Sequence, residues 1–169
     1  GLGDVYKRQP ENGFGATPLT KYRRHVLMLH PHTVIVYDEL EASEAVRWEW
    51  LLHSPTEFKM DATKKTLSTN NKIKGWMAVT QLFGGHVFTL SQTDRFVVPP
   101  AITGAEYPNQ WHLTARVDGC SATRFLAIIQ VGDEAVPIIN RDGDTFNVGD
   151  WTIKAVLDAS LSLIHISEP

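Results

Sequence analysis

One cysteine, Cys120, stands among 169 residues. An internal disulfide and a multi-cysteine zinc site are thereby excluded. No apolar run approaches the roughly 20 residues that span a bilayer as a helix. Neither sign of charge dominates, since 16 Lys and Arg face 19 Asp and Glu for a formal net charge of -3. That balance argues against a nucleic-acid binder working by excess positive charge. With 43% hydrophobic residues, the chain can build a core, which excludes a disordered tail. No internal repeat, low-complexity tract or interdomain linker appears, and the length fits one domain. Also missing are a Ser/His/Asp order, a phosphate-cradling glycine loop and a dinucleotide fingerprint; Gly13-x-Gly15 is too short to count. No segment keeps a helical period over three turns. The best helical stretch, Glu39 to Val46 (ELEASEAV), is too short and too charged to bury much.

Both ends look foreign to the rest. Gly1 to Gln9 (GLGDVYKRQ) and Leu161 to Pro169 (LSLIHISEP) resemble peptides that arise when sequencing-adapter DNA is translated with a gene. They are set aside from fold reasoning as processing scars are. The expected organisation is a tail over residues 1–9, a β-domain over 10–160 that is a fragment of a longer protein, and a tail over 161–169. The other reading of the last segment is a short strand through Leu163, Ile164 and Ile166.

What is present is strand after strand. Arg24 to Leu29 (RHVLML) and Thr33 to Tyr37 (TVIVY) are short, apolar and partly β-branched, with His30-Pro31-His32 as a turn. Ala45 to His53 alternates: Val46, Trp48, Trp50 and Leu52 share one face, and Arg47, Glu49 and His53 the other. Trp76 to Phe83 and His86 to Ser91 flank Gly84-Gly85, which reads as a hairpin link. Trp111 to Val117 alternates with Trp111, Leu113, Ala115 and Val117 inward; Arg124 to Val131 is apolar throughout, as a central strand is. Thr145 to Val148 and Trp151 to Leu157 join through Gly149-Asp150. The prolines of Val98 to Gln110 exclude a regular strand there. The expected fold is all-β, an antiparallel β-sandwich of about a dozen short strands.

Few residues carry chemistry. His30, His32, Asp38 and His53 are zinc-ligand types. Their spacing across a hairpin is not a metal signature, so no metal and no cofactor is expected. The five tryptophans could stack on sugar rings, but the alternation places Trp48, Trp50 and Trp111 in the core. Tyr107, Asn109, Gln110 and His112 cluster in YPNQWHLT, and Gln110, His112, Thr114 and Arg116 share the polar face of that strand. A tyrosine and a histidine beside an amide and a cation are groups that a proton-abstracting site uses. Arg23-Arg24 precedes the first clear strand and suits an acidic sugar or a carboxylate on a neighbouring domain.

The string KYRRHVLMLHPHTVIVYDELEASEAVRWEWLLHSP resembles the sheet domain of heparinase II/III-like polysaccharide lyases. An arginine-led strand (Arg24), a strand VIVYDEL with Asp38 and Leu40, and a strand ending in Leu52-His53 recur in that order in the family. YPNQWHLTA and RFLAIIQV resemble later strands, and the likeness covers most of Phe14 to Leu157. It implies a C-terminal domain of stacked antiparallel sheets behind an N-terminal α/α toroid, in an exported bacterial enzyme, periplasmic or secreted, that cleaves acidic uronate polysaccharides by β-elimination. The family's main acid, base and zinc residues lie mostly upstream of the match. No catalytic residue is therefore assigned here, and the isolated chain is expected to be inactive. Arg24, Tyr107, Asn109 and His112 are the expected substrate-binding residues. The alternative is a non-catalytic carbohydrate-binding or scaffold β-sandwich.

Overall fold

Two strands of 22 residues each run through the molecule and organise everything else. The structure, a computed structural model, describes residues 18–29, 32–61, 66–70, 77–95, 109–132, 139–160 and 163–167. Among these, every regular element is a strand: β1 (Leu19–Leu29), β2 (Thr33–Ser54), β3 (Lys59–Asp61), β4 (Thr66–Asn70), β5 (Met77–Gly84), β6 (Thr89–Thr93), β7 (Trp111–Gly132), β8 (Asn140–Asp142), β9 (Thr145–Val148), β10 (Trp151–Ala155) and β11 (Ile164–Ser167). A seven-stranded sheet has the order β1-β2-β7-β5-β4-β3, with β6 also on β7; a four-stranded sheet has the order β11-β10-β9-β8. All pairings are antiparallel. The all-β expectation holds.

The long strands bend together. The β2–β7 register slips between Glu41 and Val46 and again before Trp48. On β7 the bend falls at Gly119, whose φ of 72° is a left-handed conformation that glycine tolerates. The bend divides the sheet into a proximal half, residues 33–41 of β2 against 122–130 of β7, and a distal half, 48–54 against 111–117.

Gly84-Gly85 does not turn a hairpin. β5 lies opposite Phe125–Gly132 and β6 opposite His112–Arg116, so the two follow each other along one edge of β7 instead of pairing. The Gly85 amide still donates to the Arg124 carbonyl, 3.0 Å away. A Cβ on Gly85 would collide with the carbonyl oxygen of Leu157. The glycine is there for close approach, not for a turn.

Strand alternation sorts the core. In the proximal half Ile35, Tyr37, Phe83, Leu126 and Ile128 pack against Phe146, Val148, Ile153 and Ala155 of the second sheet. The Tyr37 hydroxyl donates to the Val156 carbonyl at 2.7 Å, tying the layers, and burial raises its pKa. On the opposite face Leu40, Trp48, Trp50, Leu82, Ala115, Val117, Phe125 and Ala127 form a cluster reaching through both halves. Phe58, Leu67 and Leu113 form a third.

The charged stretch after Asp38 is strand rather than helix, and part of it is interior. Glu39 is only 1% exposed. Lys21 Nζ reaches its carboxylate at 2.6 Å and His25 Nε2 at 3.0 Å. Arg124, also 1% exposed, gives Nη2 to Glu41 at 2.9 Å and to the Ala159 carbonyl at 3.1 Å. Cross-strand partners supply what a single-strand reading lacks, a counter-charge for each buried ion.

The described part of the C-terminal segment lies within the fold. Ile164–Ser167 pairs with β10, and Ile164 and Ile166 pack partly buried against the sandwich core. Gly1 to Gln9 lies outside the described residues.

Candidate functional site

The second sheet packs against the proximal half. In the distal half, the face turned away from the tryptophan cluster carries polar side chains in register. His53 stands opposite His112, Leu51 opposite Thr114, and Glu49 opposite Arg116. On the other flank of β7, Thr93, Ser91 and Thr89 stand opposite the same three β7 residues. Directly opposed residues share a face of the sheet, so these side chains form one surface.

The two imidazoles meet edge to face, with ring centroids 4.6 Å apart and planes at 80°. Arg116 Nε lies 2.7 Å from Asp118 Oδ2, and Arg47 Nε lies 3.1 Å from Oδ1. These bonds, Arg116 first, hold the Asp118 carboxyl below the usual aspartate range. All three of these charged side chains are well hydrated. Leu51, 52% exposed, gives the surface an apolar spot.

The expected site residues separate into two places. Asn109 is exposed just before β7, and His112 is the second residue of that strand. Tyr107 lies outside the described residues. Arg24 is elsewhere. It sits on β1 opposite Asp38, which stands opposite Phe125 of β7. That is thirteen positions along β7 from His112, on the order of 40 Å at strand rise. Its guanidinium makes two parallel bonds to the buried Asp38, Nε–Oδ1 at 2.6 Å and Nη2–Oδ2 at 2.8 Å. Such a fork is the geometry of a carboxylate clamp, and here the carboxylate comes from the neighbouring strand.

The zinc-ligand types do not converge. The Val131 amide donates to the His32 carbonyl at the proximal end, while His53 is at the distal end; His30 lies outside the described residues. Among the described residues no three His, Cys, Asp or Glu side chains are grouped to hold a metal ion. Trp48 and Trp50 are buried, as their alternation predicts. Trp48 Nε1 donates to the Cys120 carbonyl at 3.0 Å. Trp111 and Trp151 are half-buried.

Two cavities lie away from the expected residues. One of about 1000 Å³ opens where the long strands bend, between Glu44, Gly85, His86, Asp144 and Asp158. Its carboxylates outnumber its one guanidinium, Arg141, so it does not suit an anion. The other, about 630 Å³, is walled largely by Leu67, Leu82, Phe88 and Leu90. Sequence reasoning found the polar face of β7 but missed its partner. The signal was available: WEWLLH and WHLTARV alternate in mirrored order, which sets their histidines opposite each other if the strands pair antiparallel.

No protein-family model and no curated protein matches the chain. Solved structures do. A heparinase III gene product superposes with a TM-score of 0.58 at 13% identity, over 88% of this chain and 24% of that one. Its form with methylated lysines gives 0.61 at 13% identity, over 91% and 24%. The chain has a heparinase III-like fold. Heparan sulfate lyase HepC from Pedobacter heparinus agrees, at 0.55 and 15% identity over 88% of this chain and 23% of that one. At such identities the heparinase III-like fold is what is shared. The chain spans about a quarter of the length of the lyases it matches. No described helix is long and apolar enough to cross a membrane.

Proposed function

We propose that this chain is the C-terminal β-sheet portion of a heparinase-like lyase that cleaves uronic-acid polysaccharides by β-elimination, and that it is not catalytic alone. The observation that carries the reading is the fold likeness to heparinase III, which extends over about nine-tenths of the chain. The chemistry needs a neutralised uronate carboxylate, a base that removes the C5 proton, and an acid for the departing glycosidic oxygen. All three must surround one sugar at hydrogen-bond distance.

The missing groups then come from an α/α toroid elsewhere in a longer, exported protein, periplasmic or secreted. This chain supplies one wall of the cleft. Asn109 and His112 are the residues proposed to meet the acidic polysaccharide at the distal end, and Tyr107 is proposed to bind it with them. Arg24, half-exposed beside Asp38, would meet a different part of a long polymer.

The test is the ultraviolet absorbance of the unsaturated uronate product on heparan sulfate, heparin, chondroitin and alginate. The isolated chain should be silent and the full-length gene product active. His112→Ala in the full-length protein should cut turnover by about 10²–10⁴ if its imidazole handles a proton, and less than about tenfold if it only borders the cleft. A full-length protein that binds these polymers without cleaving any would replace this reading with the carbohydrate-binding module.

A further inference from the structure

Among the described residues, two imidazoles share the open distal face with four charged side chains. β2 contributes Arg47, Glu49 and His53; β7 contributes His112, Arg116 and Asp118. β6 adds the hydroxyls of Thr89, Ser91 and Thr93. With both imidazoles neutral, the two guanidinium groups and two carboxylates balance among the described residues of these strands. A protonated imidazole is a cation, and two of them would add two positive charges to this face. Two imidazolium rings at a centroid distance of 4.6 Å repel each other. An anion between or beside them relieves that repulsion, so anion binding and proton uptake favour each other.

We propose that His53 and His112 form a paired imidazole site for the sulfate or carboxylate groups of a polyanionic saccharide, one that tightens as the medium becomes mildly acidic. The class of ligand rests on the function proposed above; the site itself follows from the register, the ring contact and the charge count. His53 enters as a binding residue in its own right, and Arg47 and Arg116 as its positive flank. The hydroxyls of β6 suit the uncharged part of a sugar chain, since each can both donate and accept.

The experiment uses the 169-residue chain and a size-defined heparin oligosaccharide in low salt. Affinity should be about tenfold higher near pH 5.5 than near pH 8, the scale of two added charges at a hydrated surface. In the double variant His53→Gln, His112→Gln that ratio should fall below about threefold. His165→Gln, on the edge strand of the other sheet, should leave it unchanged. A double variant that keeps the full ratio, or an equal loss in His165→Gln, overturns the site in favour of a general charge effect. Should the double variant unfold, ring-proton titrations of the unmodified chain decide: the oligosaccharide should move the midpoints of His53 and His112 upward together, and no movement overturns the proposal. Inorganic sulfate at equal sulfate concentration should move them less; equal movement would mean a free-anion site and overturn the saccharide assignment. Loss of elimination activity in the full-length protein would count against the proposed function and leave this binding result standing.

Discussion

The two halves of the large sheet are built from the same pair of strands with the same alternation, yet they use their polar residues in opposite ways. In the proximal half a second sheet covers the face that carries Ile35, Tyr37, Leu126 and Ile128. Glu39 and Arg124 continue that same face, each two positions along its strand from Tyr37 or Leu126, so they are buried and must be paired: Glu39 with Lys21 and His25, Arg124 with Glu41 and backbone carbonyls. In the distal half the face bearing His53, His112 and Arg116 is open, and its charges stay hydrated. An identical strand pattern becomes a buried ionic ladder or a candidate binding surface according to how far the second layer reaches. Exposure, not residue type, separates the two outcomes.

The sharpest way to break this comparison is to empty each core. Phe146→Ala in the proximal sandwich and Trp50→Ala in the distal cluster should each cost about 3–5 kcal/mol in denaturant unfolding. A cheap Trp50→Ala would mean that the distal half has no core of its own. Trp50→Phe sharpens the point, because Trp50 Nε1 has no hydrogen-bond partner among the described residues. Losing that N–H should cost far less than losing the ring. Next come the glycines that set the geometry. Gly85→Ala would press against the Leu157 backbone and should destabilise by about 1–3 kcal/mol. Gly119→Ala, strained by its positive φ but with open space around it, should cost about 1 kcal/mol.

Acid should act on the proximal ladder. Hydrogen bonds from Arg124 and then Lys21 lower the Glu41 pKa below its ordinary value of 4.5. A depressed folded pKa gives stability that is present above 4.5 and fades as pH falls through the folded value. Wild-type melting temperature should therefore drop more steeply below that pH than in Glu41→Gln; parallel curves would show that the pair contributes nothing. The smallest effect belongs to the open face. His53→Ala should stay within about 0.5 kcal/mol, the usual range for an exposed position. A large cost there would mean that the distal face is covered.

Much of this was legible in the chain and some was not, for reasons that can be named. The alternation of Val46 to Leu52 and of Trp111 to Val117 places Trp48, Trp50, Leu113, Ala115 and Val117 inside, and they are. Periodicity reads a strand's faces because a pleat has a period of two. It does not read partners. Gly84-Gly85 therefore looked like a hairpin although β5 and β6 both belong to β7. The run after Asp38 looked too charged for an interior because Lys21, His25 and Arg124 come from other strands. In sequence Arg24 is a cation suited to an acidic ligand, and its fork to Asp38 appears only once β1 and β2 are in register. The 22-residue strands read as shorter pieces in sequence because the bends at Glu41–Trp48 and Gly119 interrupt each pattern.

That β7 serves β2, β5 and β6 at once has a consequence for how the chain comes into being. β1 and β2 form a local hairpin whose register closes at the Leu29–Thr33 pair. The other edge of β2 waits for a partner roughly 60 to 100 residues downstream, a topology that slows folding. At ribosomal rates of about 5–20 residues per second, that edge stays unmatched for several seconds during synthesis. Throughout that interval the valines and tryptophans of β2 are offered to any other nascent chain. The production of this fold is most vulnerable before residue 111 has left the ribosome, and a chaperone that shields an isolated β1–β2 hairpin would protect it best.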